Sequence, residues 1–242
     1  MKERLDFHLV VLGLVPTRSQ AANYIKLGKV LVNKKVVTKP GTMVLRTDNI
    51  ELTATEQYVS RAGLKLASIA ETLKLDFRDR VVLDVGSSTG GFTDYAMQHG
   101  AKYVIAVDVG TNQLHPSLRA NKQIELHEQT DIRDVKELSN PVDIVVIDVS
   151  FISLREILPT VARLSHKNTR VVAMVKPQFE AGGSAKHNGV IKNDRLRRDI
   201  LQSFESWVRD YFVIQDKADS EVAGAKGNRE RFYLLKKAEY KK

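Results

Sequence analysis

Residues 81–93, VVLDVGSSTGGFT, constrain the fold of this chain more than any other stretch. A β-branched apolar run closes on an acid, passes through a glycine-bearing loop and opens into a helical pattern. That order builds a nucleotide pocket at the carboxyl end of the first strand of an α/β sheet. Gly86 and Gly90 bracket Ser87, Ser88 and Thr89, and Gly91 and Phe92 open the helix. The spacing satisfies neither the G-x-G-x-x-G of dinucleotide sites nor the G-x-x-x-x-G-K-[ST] of phosphate loops. With Asp84 before the loop and no lysine to reach a phosphate, the pocket suits a ligand carrying an ammonium group and a sugar. S-adenosylmethionine has both.

A second strand, YVIAVDVG over 103–110, delivers Asp108 and Val109 roughly twenty residues beyond the loop, where such folds place the carboxylate that bonds a ribose hydroxyl. A third strand at 124–127 leads to Asp131 and Ile132, and Asp131 is placed to accept from an adenine amino group. Each acid alone reads equally as a turn or helix-capping residue. Three of them after consecutive strands, one beside a glycine loop, favour a cofactor pocket. Further strands are expected at 143–147 and 170–175, alternating with helical patterns at 91–99, 132–138, 153–164 and 194–209. Runs at 212–215 and 231–235 read as a closing hairpin at the sheet edge. The alternation predicts a Rossmann-like, doubly wound, mostly parallel sheet of the α/β class.

Residues 1–56 differ in character and predict a small α+β RNA-binding domain, joined by a linker at 57–61 to a large domain over 62–242. Leu5, Leu9 and Leu12 share one helical face, and Ala21, Ala22 and Ile25 mark a second short helix stopped by Gly28. Residues 29–33 alternate as a strand that turns at Lys34-Lys35 and returns. Arg4, Arg18, Lys26, Lys29, Lys34, Lys35 and Lys39 crowd this stretch, and Arg61 follows it, forming a candidate phosphate-binding surface. A formal net charge of +9 agrees with a polyanionic partner. With no cysteine in the chain, disulfides, zinc-thiolate sites and a cysteine nucleophile are excluded, and with them the usual route to C5 methylation of cytosine. The six histidines lack metal-ligand spacing, so no metal is expected. No apolar run suits a membrane span, and the charged start has no signal-peptide cleavage pattern, so a cytoplasmic protein without a membrane partner is expected.

Two strand ends carry candidate chemistry. The fourth strand delivers Asp148 into Val149-Ser150-Phe151, at the ligand crevice of a doubly wound sheet. The fifth, wholly apolar, ends in Lys176-Pro177. Lys176 reads either as a side chain snorkelling to the sheet rim or as a base. For the second role, burial and a neighbouring cation such as Lys65 would disfavour the ammonium, and Asp148 would hold the pair. Residues 180–189 read equally as a mobile lid or a polar surface loop.

The motifs R-L-D (4–6), T-R-S-Q-A (17–21), I-K-L-G-K-V-L-V-N (25–33) and K-P-G (39–41) resemble the ribosomal-protein S-four type RNA-binding domain. That resemblance implies binding of structured RNA by shape and backbone. S-R-A-G-L-K-L (60–66), D-V-G-S-S-T-G-G-F-T-D (84–94), V-D-V-G-T-N-Q-L (107–114), D-V-S-F-I-S-L (148–154), V-K-P-Q-F-E-A-G (175–182) and K-G-N-R-E (226–230) are similar to the TlyA, or hemolysin A, family of FtsJ-like ribosomal RNA methyltransferases. The resemblance implies transfer of a methyl group from S-adenosylmethionine to a ribose 2′-hydroxyl of cytidine in ribosomal RNA, free or in subunits. It also implies a catalytic tetrad of Lys65, Asp148, Lys176 and Glu230. The rival readings are a base-amine methyltransferase, a membrane-active haemolysin and a non-catalytic RNA-binding assembly factor.

Overall fold

A computed structural model describes residues 2–54, 58–181, 189–222, 224 and 227–238. The chain divides into two compact units, Met1–Arg61 and Ala62–Lys242. The smaller contains β1 (Lys2–Arg4), α1 (Leu5–Val11), α2 (Arg18–Lys26), β2 (Val30–Val32), β3 (Lys35–Val36), β4 (Met43–Leu45) and β5 (Ile50–Leu52). Leu5 and Leu9 of α1 bury against the α2 side, where Ala21 and Ile25 are also fully buried. Leu12, expected on the same face, is 48% exposed, because α1 has ended and Gly13 at positive φ turns the chain away. The β2–β3 hairpin pairs Leu31 with Val36 and Val32 with Lys35 around a two-residue turn. Both turn residues, Asn33 and Lys34, have positive φ, the backbone hand that matches strand twist. Asn33 is held there by donating to Asp48 and accepting from the Asn49 N–H.

The larger unit is built on a seven-stranded sheet. Its elements are α3 (Arg61–Ala70), β6 (Val81–Val85), α4 (Gly91–Gln98), β7 (Tyr103–Val107), α5 (Pro116–Arg119), β8 (Ile124–His127), β9 (Ile144–Ile147), α6 (Leu154–Leu164), β10 (Arg170–Val175), α7 (Pro177–Glu180), α8 (Asp194–Val208), β11 (Phe212–Asp219) and β12 (Arg231–Lys237). The strand order is β11-β12-β10-β9-β6-β7-β8. The five strands from β10 to β8 run parallel, and β12 is antiparallel to both β10 and β11. Parallel strands covered on both faces read as continuous apolar runs, as β7, β9 and, after Arg170, β10 do, while β6 is interrupted by Asp84. Leu83, Val85, Ile105, Val107, Val145 and Ile147 form one core with Ile157, Leu158 and Val161 of α6 and Phe204 of α8. The expected helix at 132–138 is a single 3-10 turn, Ile132–Asp134. There the Asp131 carboxylate accepts from the Arg133 N–H and pairs with its guanidinium, a local arrangement that competes with helix continuation.

The strand order places β7 and β8 on one side of β6, and β9 and β10 on the other. The loops leaving β6 and β9 therefore part in opposite directions. They leave a crevice outside the carboxyl ends of the strands, the ligand position in open α/β sheets.

Candidate active site

Glycine geometry shapes that crevice. Gly86 has φ +83, and a Cβ there would lie 2.8 Å from the Asp148 carbonyl oxygen, so only glycine lets the ends of β6 and β9 approach. Gly90 has φ +94 at the start of α4, where a side chain would collide with Leu118 and Leu114. Asp108 accepts from the Ser88 N–H at 2.8 Å and the Gly110 N–H at 2.7 Å. One carboxylate thereby ties the glycine loop to the turn after β7. The resulting cavity, about 350 Å³, is lined by Gly86, Ser88, Asp108, Val109, Asp131, Ile132, Asp148 and Ser150, with Val149 and Phe151 completing one wall. Arg133 holds the Asp131 carboxyl below its usual range, so Asp131 meets the cavity as an anion.

Asp84 lies behind the loop rather than in the cavity wall. It is fully buried, and Thr93 of α4 donates to its Oδ2 at 2.6 Å. Burial pushes its pKa up to about 7, the Thr93 hydrogen bond offsets part of that, and the charges of Asp148 and Asp108 add to it. Asp84 Oδ1 and Ser87 Oγ are buried without a hydrogen-bonding partner among the described residues. Ser87, Thr89, Gly90, Gly91 and Phe92 also stand outside the cavity lining. They form the turn and first residues of α4, and Phe92 packs near Phe232 in the interior.

The four candidate catalytic residues form two ion pairs. Lys176 Nζ lies 2.6 Å from Asp148 Oδ1, and Lys65 Nζ lies 2.5 Å from Glu230 Oε2. Lys65, Lys176 and Glu230 are buried. Lys176 precedes Pro177, a position that favours extended backbone, and its side chain leaves the end of β10 toward Asp148 at the end of β9. Val175 pairs with Arg231, so the next residues outward, Lys176 and Glu230, leave the same rim of adjoining strands. Lys65, expected beside Lys176 as a bare cation, has its own carboxylate in Glu230, so each lysine is separately paired.

Three further residues support the site. Lys176 Nζ donates to Ser150 Oγ at 2.7 Å. Glu180 accepts from Ser153 Oγ at 2.6 Å and from the Leu154 N–H at 2.7 Å, capping α6 and clamping the turn after Lys176 to the loop after Asp148. Burial pushes the Glu180 carboxyl up, and those two hydrogen bonds offset part of the shift. Asn228 accepts from the Ile191 N–H and donates to the Gly189 carbonyl, holding residues 189–191 against the turn before Glu230. All three stood inside quoted motifs, as polar residues beside strand or helix ends, without an assigned role. Residues 182–188 of the stretch read as lid or loop lie outside the described residues, as do residue 226 and part of the linker at 57–61.

In the smaller unit Lys26, Lys29, Lys34, Lys35 and Lys39 are exposed. Arg4 and Arg18 both hydrogen-bond the buried Asp6 while staying half exposed, so each has a structural partner as well as a solvent face. Arg61 is half-buried at the start of α3. Among the described residues no group of three or more acids or histidines is arranged to hold a metal, and no helix is long and apolar enough to cross a membrane.

The chain is similar to several known proteins. A family model described as FtsJ-like methyltransferase matches residues 58–237, and one described as S4 domain matches residues 3–50. A Mycobacterium tuberculosis protein named 16S/23S rRNA (cytidine-2'-O)-methyltransferase TlyA is 35% identical over 242 residues, covering 97% of this chain and 90% of the relative. Hemolysin A of Brachyspira hyodysenteriae is 39% identical over 230 residues, covering 93% and 96%. A solved Streptococcus thermophilus structure described as a hemolysin matches with a TM-score of 0.74 at 37% identity, covering 98% of this chain and 89% of the other. The chain belongs to the FtsJ-like methyltransferase family and carries an S4 domain ahead of the methyltransferase domain.

Proposed function

We propose that this protein transfers the methyl group of S-adenosylmethionine to a ribose 2′-hydroxyl of cytidine in ribosomal RNA. The observation that carries the reading is the Lys176–Asp148 pair at the rim of the cavity lined by Asp108 and Asp131. The carboxylates lining the cavity fit S-adenosylmethionine: Asp108 suits ribose hydroxyls and Asp131 an adenine amino group. Residues 1–56 would act as the RNA-docking domain, 57–61 as the linker and 62–242 as the catalytic domain. Bound in the crevice, S-adenosylmethionine supplies a methyl carbon on a sulfonium leaving group.

Lys176 acts as the base. Its ion pair with Asp148 and its hydrogen bond to Ser150 hold the Nζ at the cavity rim, where it takes the hydroxyl proton as the ribose oxygen attacks and the carbon–sulfur bond breaks. Lys65 and Glu230 position the sugar from the adjoining strand end. Holding both reactants converts an encounter into an intramolecular step. The basic surface of the smaller unit, including Lys26, Lys29, Lys34 and Lys35, supplies backbone contacts to ribosomal RNA, a substrate that implies action in the cytoplasm.

The test is to treat ribosomal subunits with the protein and labelled S-adenosylmethionine, then hydrolyse the RNA in alkali. A 2′-O-methyl group blocks cleavage of the adjacent bond, so label is expected in an alkali-resistant dinucleotide with cytidine on its 5′ side. Label in alkali-released mononucleotides would instead mean base methylation.

A further inference from the structure

A second cavity, about 400 Å³, lies between α8 and the β11–β12 hairpin and is lined by Arg197, Arg198, Lys217, Arg229 and Arg231. Arg229 and Arg231 flank Glu230, and alternation along an extended chain sends them to the face opposite the one that carries Glu230 to Lys65. Because Arg231 pairs with Val175, the cavity opens near the rim that carries Lys176.

Three carboxylates answer these five cations. Asp219 holds both Arg197 and Arg231, Glu205 holds Lys217, and Asp194 meets Arg229. Two positive charges are left over. Stapling α8 to the hairpin accounts for Arg197, Asp219 and Arg231. It does not account for Arg198, which is exposed and has no partner among the described residues. Nor does it account for Arg229, whose 3.2 Å pair with Asp194 is exposed on both sides and worth little in water. The buried Arg197 donates through Nε to the Arg229 carbonyl and through Nη2 to Asp219, leaving Nη1 without a partner among the described residues. A fixed guanidinium with a spare donor, two exposed arginines at the rim and uncompensated charge together match a phosphodiester.

We infer that this cavity seats a backbone phosphate of the RNA strand whose ribose is presented to Lys176, an inference that rests on the RNA-methylating reading above. The contact positions the strand and reads no base.

The experiment is to titrate the full-length Arg198→Gln/Arg229→Gln variant onto ribosomal RNA at stepped salt. Affinity is expected to fall, and the slope of log K against log salt to become shallower by about 0.7–0.9, the contribution of the one phosphate contact. The melting temperature and S-adenosylmethionine affinity should match wild type. Should the double variant melt early, Arg198→Gln alone, which loses no partner, should show roughly half that change in slope. Unchanged affinity and slope in a folded variant overturn the inference. It is likewise overturned if millimolar inorganic phosphate stabilises the wild type but not the variant while RNA binding is unaffected, since the cavity would then be a free-anion site. Binding is read without turnover, so failure of ribose methylation in the wild type would sink the enzymatic reading and leave the binding result standing.

Discussion

At the scale of single residues, two side chains decide how the site works. Lys176 donates to Ser150 and lies in an ion pair with Asp148, and the two together fix where its Nζ sits. Ser150→Ala should lower kcat by about tenfold, less than the roughly 10²–10⁴-fold worth of the proton transfer itself because Ser150 only positions the base, with KM for RNA little changed. Ser150→Thr, which keeps the hydroxyl, should recover most of the loss in the same assay. Asp84 shows the opposite economy, a carboxyl kept buried at a cost. Its pKa in the fold is about 7 against an ordinary 3.8, so folding takes up a proton between those values. Stability from this group therefore falls as pH rises from about 4 to about 7 and is level above, by at most roughly 4 kcal/mol in all. Asp84→Asn, which still accepts from Thr93, should melt higher than wild type at pH 8, with the gap closing toward pH 4. A melting difference that does not vary with pH would remove Asp84 as the cause.

At the scale of elements, the site depends on how closely strand ends approach. Gly86→Ala sets a Cβ 2.8 Å from the Asp148 carbonyl at a φ of +83. We expect a loss of about 1–3 kcal/mol in chemical denaturation and weaker cofactor binding, since Asp148 must shift. The β6–loop–α4 unit was legible because its apolar run and glycine spacing are local. The 132–138 helix was misread because the Asp131–Arg133 pair holds a single turn that propensity does not report. The three-residue strands β1, β4 and β5 are too short for alternation to signal. Glu180 caps α6 from 26 residues away, and no window of sequence reveals that partnership.

At the scale of the whole chain, the mostly parallel sheet was readable because alternating strand and helix patterns leave few topologies. The hairpin was expected at the sheet edge, and β11 is the edge strand, with β12 paired between it and β10. Chemistry was readable at strand ends, where Asp108, Asp148 and Lys176 interrupt apolar runs. The pairing of Lys65 with Glu230 was not derivable from spacing, because 165 positions separate them and only β12 folding back beside β10 brings Glu230 to the rim. The central claim is that the Lys176 amine removes the ribose proton. It is tested most directly by Lys176→Ala, measuring S-adenosylmethionine affinity and methyl transfer to ribosomal subunits on the same preparation. Affinity near wild type with transfer abolished is the expected result. Transfer retained, or affinity and transfer lost together, would contradict it.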